Sequence, residues 1–222
     1  MRSVRPMRTL PPVSRRALGT GLVVFSLAAT LLALVIPVAL FGGAEPAAAT
    51  ARTTWSDDGG GVTATNSGPL TPLDRDFIRR VRLAGLWEKP AGRLAQERGT
   101  TDAVRMAGDH LVDGHTELDR RSIDVGRALG VTLPTKPSAE QQGWLDQLEA
   151  ARGAAFDRPF ATLVRAAHGK VFGLVALVRD RTGNALVREL ATRANTVVLD
   201  HITVLENTGF VEIPSSGDNE KK

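Results

Sequence analysis

The chain has no cysteine. That excludes disulfides, thiolate metal sites and cysteine nucleophiles, so any metal must rest on His, Asp and Glu. It has no tyrosine either, and only 5% of its residues are aromatic. No glycine-rich phosphate loop occurs, and nothing marks a Ser/His/Asp triad, so no nucleotide cofactor is expected. Acid is missing from the first 44 residues, where Arg2, Arg5, Arg8, Arg15 and Arg16 lie. The net charge of +4 therefore belongs to the leader. Setting aside those five arginines of 28 basic residues, and Glu45 of 24 acidic ones, leaves 23 of each sign from Thr50 onward. A neutral body gives no footprint for DNA or RNA, and no nucleic-acid partner is expected.

The start of the chain reads as an address. Residues 1–16 are positive, residues 17–41 carry no charge, and Ala47 and Ala49 form a small-x-small cleavage pattern. This is the order of a secretory signal. The apolar run is also long enough to span a bilayer, so residues 1–49 are read as a signal peptide or a membrane anchor. Positive charge ahead of the run places the C-terminal body outside in both cases. "SRRALG" at 14–19 resembles a twin-arginine export signal, and a paired arginine is equally ordinary before an apolar run. Residues 50–70 are rich in Gly, Thr, Ser and Asp and are expected to be a flexible linker. Residues 210–222 are expected to be a disordered tail.

Residues 71–209 are helical in pattern, without convincing strand alternation. A first helix is expected from Pro72 to Arg98, capped by Thr71 and closed by Gly99, with Pro90 kinking or breaking it near Trp87–Lys89. A second runs from Thr101 to Leu129, capped by Thr100 or Thr101 and closed by Gly130. Ser138 and Gln141 form a capping box for a short helix reaching Arg152. A third long helix runs from Arg158 to Arg181 with Asp157 as its N-cap, and a fourth from Ala185 to Asn207. Four long amphipathic segments joined mostly by short turns predict an all-α, up-down-up-down four-helix bundle.

Each long segment carries an apolar stripe, and each stripe is interrupted by a group that can ligate metal. The interruptions are Glu88, His115, His168 and His201. Glu88 lies about eleven residues before its turn and His115 about fifteen after it; at about 1.5 Å per residue they differ in depth by roughly 5–6 Å. His168 and His201 are placed similarly about the last turn, so all four are expected to converge on one layer. A buried carboxylate needs a cation or a donor. Two readings meet that need: a divalent transition metal among the four groups, or a metal-free polar cluster. Three imidazoles and one carboxylate suit Zn, Fe, Mn or Cu. The dinuclear carboxylate site needs Glu-x-x-His pairs, and Val112, Arg165 and Val198 stand at those positions instead, so a single metal is expected. Asp119, one turn after His115, is expected to accept from it. His110 shares a mixed face with Met106, Asp113 and Glu117 and reads as a surface histidine.

"GLWEKPAGRLA", "DGHTELD" followed by "LGVTLP", "FDRPF", "RAAHGKVF" and "LDHITVLE" together resemble the bacterial domain-of-unknown-function 4142 family over roughly Leu73–Gly209. The resemblance implies an exported protein with a ferritin-like fold, here carrying a short extra helix between the second and third long helices. The recurring glutamate of that family falls on Glu88, its Asp-His on Gly114-His115, its Phe-Asp on Phe156-Asp157, and its later histidines on His168 and His201. Gly114 departs from the pattern and moves the acid to Asp113, which weakens the case for a carboxylate paired directly with His115. No activity is implied. The sequence leaves open a metal-handling or protective role and, as the other reading, a non-enzymatic envelope module that binds a protein partner.

Overall fold

The computed structural model describes residues 54–212; the expected signal or anchor, its apolar run at 17–41 and the tail beyond 212 lie outside the described residues. Five helices follow in order, and among the described residues there is no strand: α1 (Pro72–Arg98), α2 (Asp102–Leu129), α3 (Ala139–Ala150), α4 (Ala154–Arg181) and α5 (Ala185–Glu206).

Local chemistry fixes most of the boundaries. The Thr71 hydroxyl accepts from the amide of Asp74, whose carboxylate in turn accepts from the amide of Thr71, so the start of α1 is closed reciprocally. Thr101 caps α2, and Gly130 ends it at φ 67°, a left-handed conformation that glycine adopts without penalty. Ser138 and Gln141 form the second capping box. Pro90 does not break α1, which continues to Arg98. A proline removes one ladder bond, and packing on both sides offsets that loss: Trp87 and Ala91 are both buried.

Two expectations change. The third long helix begins at Ala154, not Arg158, and Asp157 lies inside its first turn rather than capping it. The Asp157 carboxylate instead accepts from the amide and hydroxyl of Thr100, tying the start of α4 to the α1–α2 turn. Residues 54–70, expected to be a linker that buries little, hold to the helices. Asp58 bridges Arg75 and Arg79, Leu70 is buried, and the amide of Ala185 donates to the Ser67 carbonyl. Composition hid this because the contacts come from single side chains and from backbone, not from an apolar stripe.

The long helices pair α1 with α2, α4 with α5, α2 with α5 and α1 with α4, while α3 lies against α1 and α4. Helices α1 and α2 approach closely at Gly92 and Gly108, where an added Cβ would come within 3.0 Å of the other glycine's carbonyl. The apolar core falls into two clusters. One holds Phe77, Val81, Leu118, Leu174, Val178, Leu190 and Val197. The other holds Trp87, Ala91, Leu111, Phe156, Phe160, Val164 and Leu205. Along α2, α4 and α5 the chain passes from one cluster to the other across a polar residue, and on α1 a polar residue directly follows Trp87, where the second cluster begins. By length and composition α4 is the one described helix that meets the test for a membrane span, a test that a core helix also passes; its Phe156, Phe160, Val164, Leu174 and Val178 are buried.

Candidate metal centre

The polar residues at that boundary are Glu88 on α1, His115 on α2, His168 on α4 and His201 on α5. Each follows from helical periodicity, since a residue three or four places from its apolar neighbours shares their inward face. The structure brings all four together. One ligand atom from each lies within 4.8 Å of every other, and none of the four residues is more than 4% exposed.

Their hydrogen bonds are distinctive. His168 Nδ1 lies 2.9 Å from the carbonyl of Val164, one turn back on α4. His201 Nε2 lies 2.9 Å from the carbonyl of His110 on α2. A carbonyl only accepts, so these two nitrogens are the donors, and a neutral imidazole carries one N–H. The remaining nitrogens, His168 Nε2 and His201 Nδ1, bear lone pairs and face each other 2.9 Å apart. Glu88 Oε2 stands 2.6 Å from His115 Nε2 and 3.3 Å from His168 Nε2. Yet Glu88 Oε2 and both ring nitrogens of His115 are buried without a hydrogen-bond partner. The His115 nitrogen is close to the oxygen but not aimed at it.

Burial explains the charge states. Loss of solvent pushes Glu88 up to about 7, against the pull of His168. It pushes His115 down to about 3, with the Lys89 ammonium adding to the effect. His168 falls to about 4 and His201 to about 3, again through burial first. Near neutrality the three rings are uncharged, so no proton is on hand to sit between the facing nitrogens of His168 and His201.

Asp119 does not play the part expected of it. Its carboxylate is taken by Arg82 and Lys89 from α1, and it makes no hydrogen bond to His115. Its placement one turn from His115 is correct, but two cations half-buried beside it are stronger partners than an imidazole N–H. His110 is part-exposed, as expected, and its ring bonds Asp200 on α5 at 2.7 Å. Sequence reasoning missed the main-chain carbonyls of Val164 and His110, which orient two of the rings and leave no trace in residue identity.

No curated protein and no solved structure matches the chain. The family model described as "Domain of unknown function (DUF4142)" matches residues 61–207, a span that contains all four clustered residues and all five helices. The chain belongs to the domain of unknown function 4142 family.

Proposed function

We propose that this protein is an exported, ferritin-like four-helix domain that binds one divalent transition metal through Glu88, His115, His168 and His201. One observation carries the reading. Two lone-pair nitrogens, His168 Nε2 and His201 Nδ1, face each other at 2.9 Å while their N–H groups are committed to carbonyls. A buried arrangement of that kind is repulsive unless a cation lies among the donors. Glu88 Oε2 and His115 Nε2, close together and unpartnered, add a third and a fourth donor.

The donor set fits Zn, Fe, Mn or Cu and disfavours Ca and Mg, which prefer all-oxygen shells. Four protein donors complete a tetrahedral shell, the pattern of a metal that is held; a catalytic site keeps one position open. Metal handling or protection from oxidative stress at the cell surface accords with that closure. Export is supported by the positive residues 1–16 and the uncharged run at 17–41, whether that run is cleaved or retained as an anchor.

Elemental analysis of protein purified without a histidine tag tests the proposal. About one equivalent of Zn, Fe, Mn or Cu is expected, bound more weakly when His168 is replaced by alanine. A protein that is metal-free and takes up none of the four contradicts it. A second reading rests on Glu88, raised to about 7 by burial. A protonated Glu88 donates to one imidazole and makes the cluster a metal-free core of an envelope module that binds a protein partner. In that case His168→Ala alters stability and leaves metal content at zero throughout.

A further inference from the structure

Gly114 lies in the middle of α2, where glycine is less favourable than alanine because it loses more backbone freedom on folding. Its φ is not positive, so backbone conformation does not call for glycine there. Space does. A Cβ on residue 114 would stand 2.6 Å from His201 Nε2, 2.9 Å from His201 Cε1 and 2.8 Å from Val197 Cγ1. The ring of His201 therefore occupies the volume that any other side chain at 114 would fill.

The location explains what the ring gains. In a helix the amide of residue 114 donates to the carbonyl of residue 110, and a Cβ at 114 leans back over that same turn. The His110 carbonyl has a second lone pair, and His201 Nε2–H reaches it at 2.9 Å only because nothing covers it. With Nε2 bound to α2, Nδ1 is the nitrogen that faces His168. His168 is fixed the other way, by Nδ1 on Val164, and presents Nε2.

We propose that Gly114 is the positioning residue that makes His201 a ligand through Nδ1: its missing side chain lets the ring dock on the His110 carbonyl and turns the other nitrogen into the site. This rests on the metal reading above. It adds that the donor set is mixed, Nε2 from His168 and Nδ1 from His201, and that α2 sets this through a main-chain carbonyl rather than a side chain.

Because Val197 also crowds residue 114, the test starts from Val197→Ala, which removes the Cγ1 contact and keeps the nearer one, with His201. Imidazole nitrogen NMR of the metal-free protein and Zn(II) titration against a competing chelator are the two readouts. In the Val197→Ala background His201 is expected as the Nε2–H tautomer. Adding Gly114→Ala is expected to abolish that tautomer preference and weaken Zn(II) binding about tenfold or more, the size of effect seen when a ligand's orienting partner is lost. Adding Gly114→Ala to Val197→Ala/His201→Ala, where no ring remains to displace, is expected to leave Zn(II) affinity unchanged and the fold intact. An unchanged His201 tautomer and unchanged affinity on adding Gly114→Ala overturn the proposal. So does failure of the ring-free variant to fold, since the space at 114 would then serve something other than His201. Failure of the parent protein to bind Zn(II), Fe, Mn or Cu sinks the metal reading instead, and the NMR arm alone then decides what Gly114 does.

Discussion

Two of the histidine–carboxylate pairs between helices have nearly equal separations. His115 Nε2 lies 2.6 Å from Glu88 Oε2, and His110 Nδ1 lies 2.7 Å from Asp200 Oδ2. The first pair is almost wholly buried, with 3% and 5% of the side chains exposed; the second shows 38% and 50%. The exposed pair is a hydrogen bond, and the buried pair is not. Distance alone would score them alike. Direction and dielectric separate them: at the surface water screens the charges and the pair is worth little, whereas in the core an unaimed, unpartnered carboxylate is costly unless a cation joins it.

The largest expected effect comes from taking that cation away. If the inner pair is half of a metal shell, stripping a saturating metal lowers stability by about 3–4 kcal/mol, as for a ligand at a hundred to a thousand times its Kd. Thermal unfolding with and without chelator checks it, and a midpoint that does not move contradicts the contrast. Next in size, His168→Ala should weaken metal uptake by about a hundredfold, roughly 2.7 kcal/mol, because one donor of four is lost. Competitive titration reads it directly.

A third prediction concerns pH in the metal-free protein. Burial holds His115, His168 and His201 at about 3 to 4, against 6.5 in the unfolded chain. Below 6.5 the unfolded state binds protons that the native state refuses, so stability falls as pH drops from about 6.5 to about 4. Glu88 has the opposite sign. Its folded value of about 7 exceeds the unfolded 4.5, so its contribution is full below 4.5 and is lost as pH rises to about 7. Three rings outweigh one carboxyl in the acid range, and the midpoint should fall on acidification. A midpoint that rises between pH 6.5 and 4 breaks the account of the buried side. The smallest effect belongs to the surface. His110→Ala or Asp200→Asn should cost less than about 1 kcal/mol in chemical denaturation and leave metal content unchanged. His110→Ala keeps the carbonyl on which His201 docks, so the variant separates side chain from backbone at one residue.

Much of this contrast is legible in the sequence. Thr71 with Pro72, Thr101, Ser138 with Gln141, and Gly130 mark helix ends through side chains or glycine freedom, which sequence displays. One polar interruption per apolar stripe is visible in the same way and leads to the residues that meet. The start of α4 is hidden, because Gly153 supplies no capping side chain and Asp157, the obvious candidate, is engaged with Thr100 across the fold. Asp119 is misread for a related reason: helical spacing places it beside His115, but its partners Arg82 and Lys89 come from another helix. Ring orientation is hidden most deeply. It depends on which carbonyl each imidazole finds, and for His201 on an absent side chain at Gly114.

The central claim is that the four inward groups form one metal shell. X-ray absorption spectroscopy on Zn(II)-loaded, untagged protein tests it most directly. The account predicts three imidazole nitrogens and one carboxylate oxygen at about 2.0–2.2 Å, with one imidazole lost in His201→Ala and none lost in His110→Ala. A shell made of solvent oxygens, or one that His201→Ala leaves intact while His110→Ala depletes it, would contradict the account.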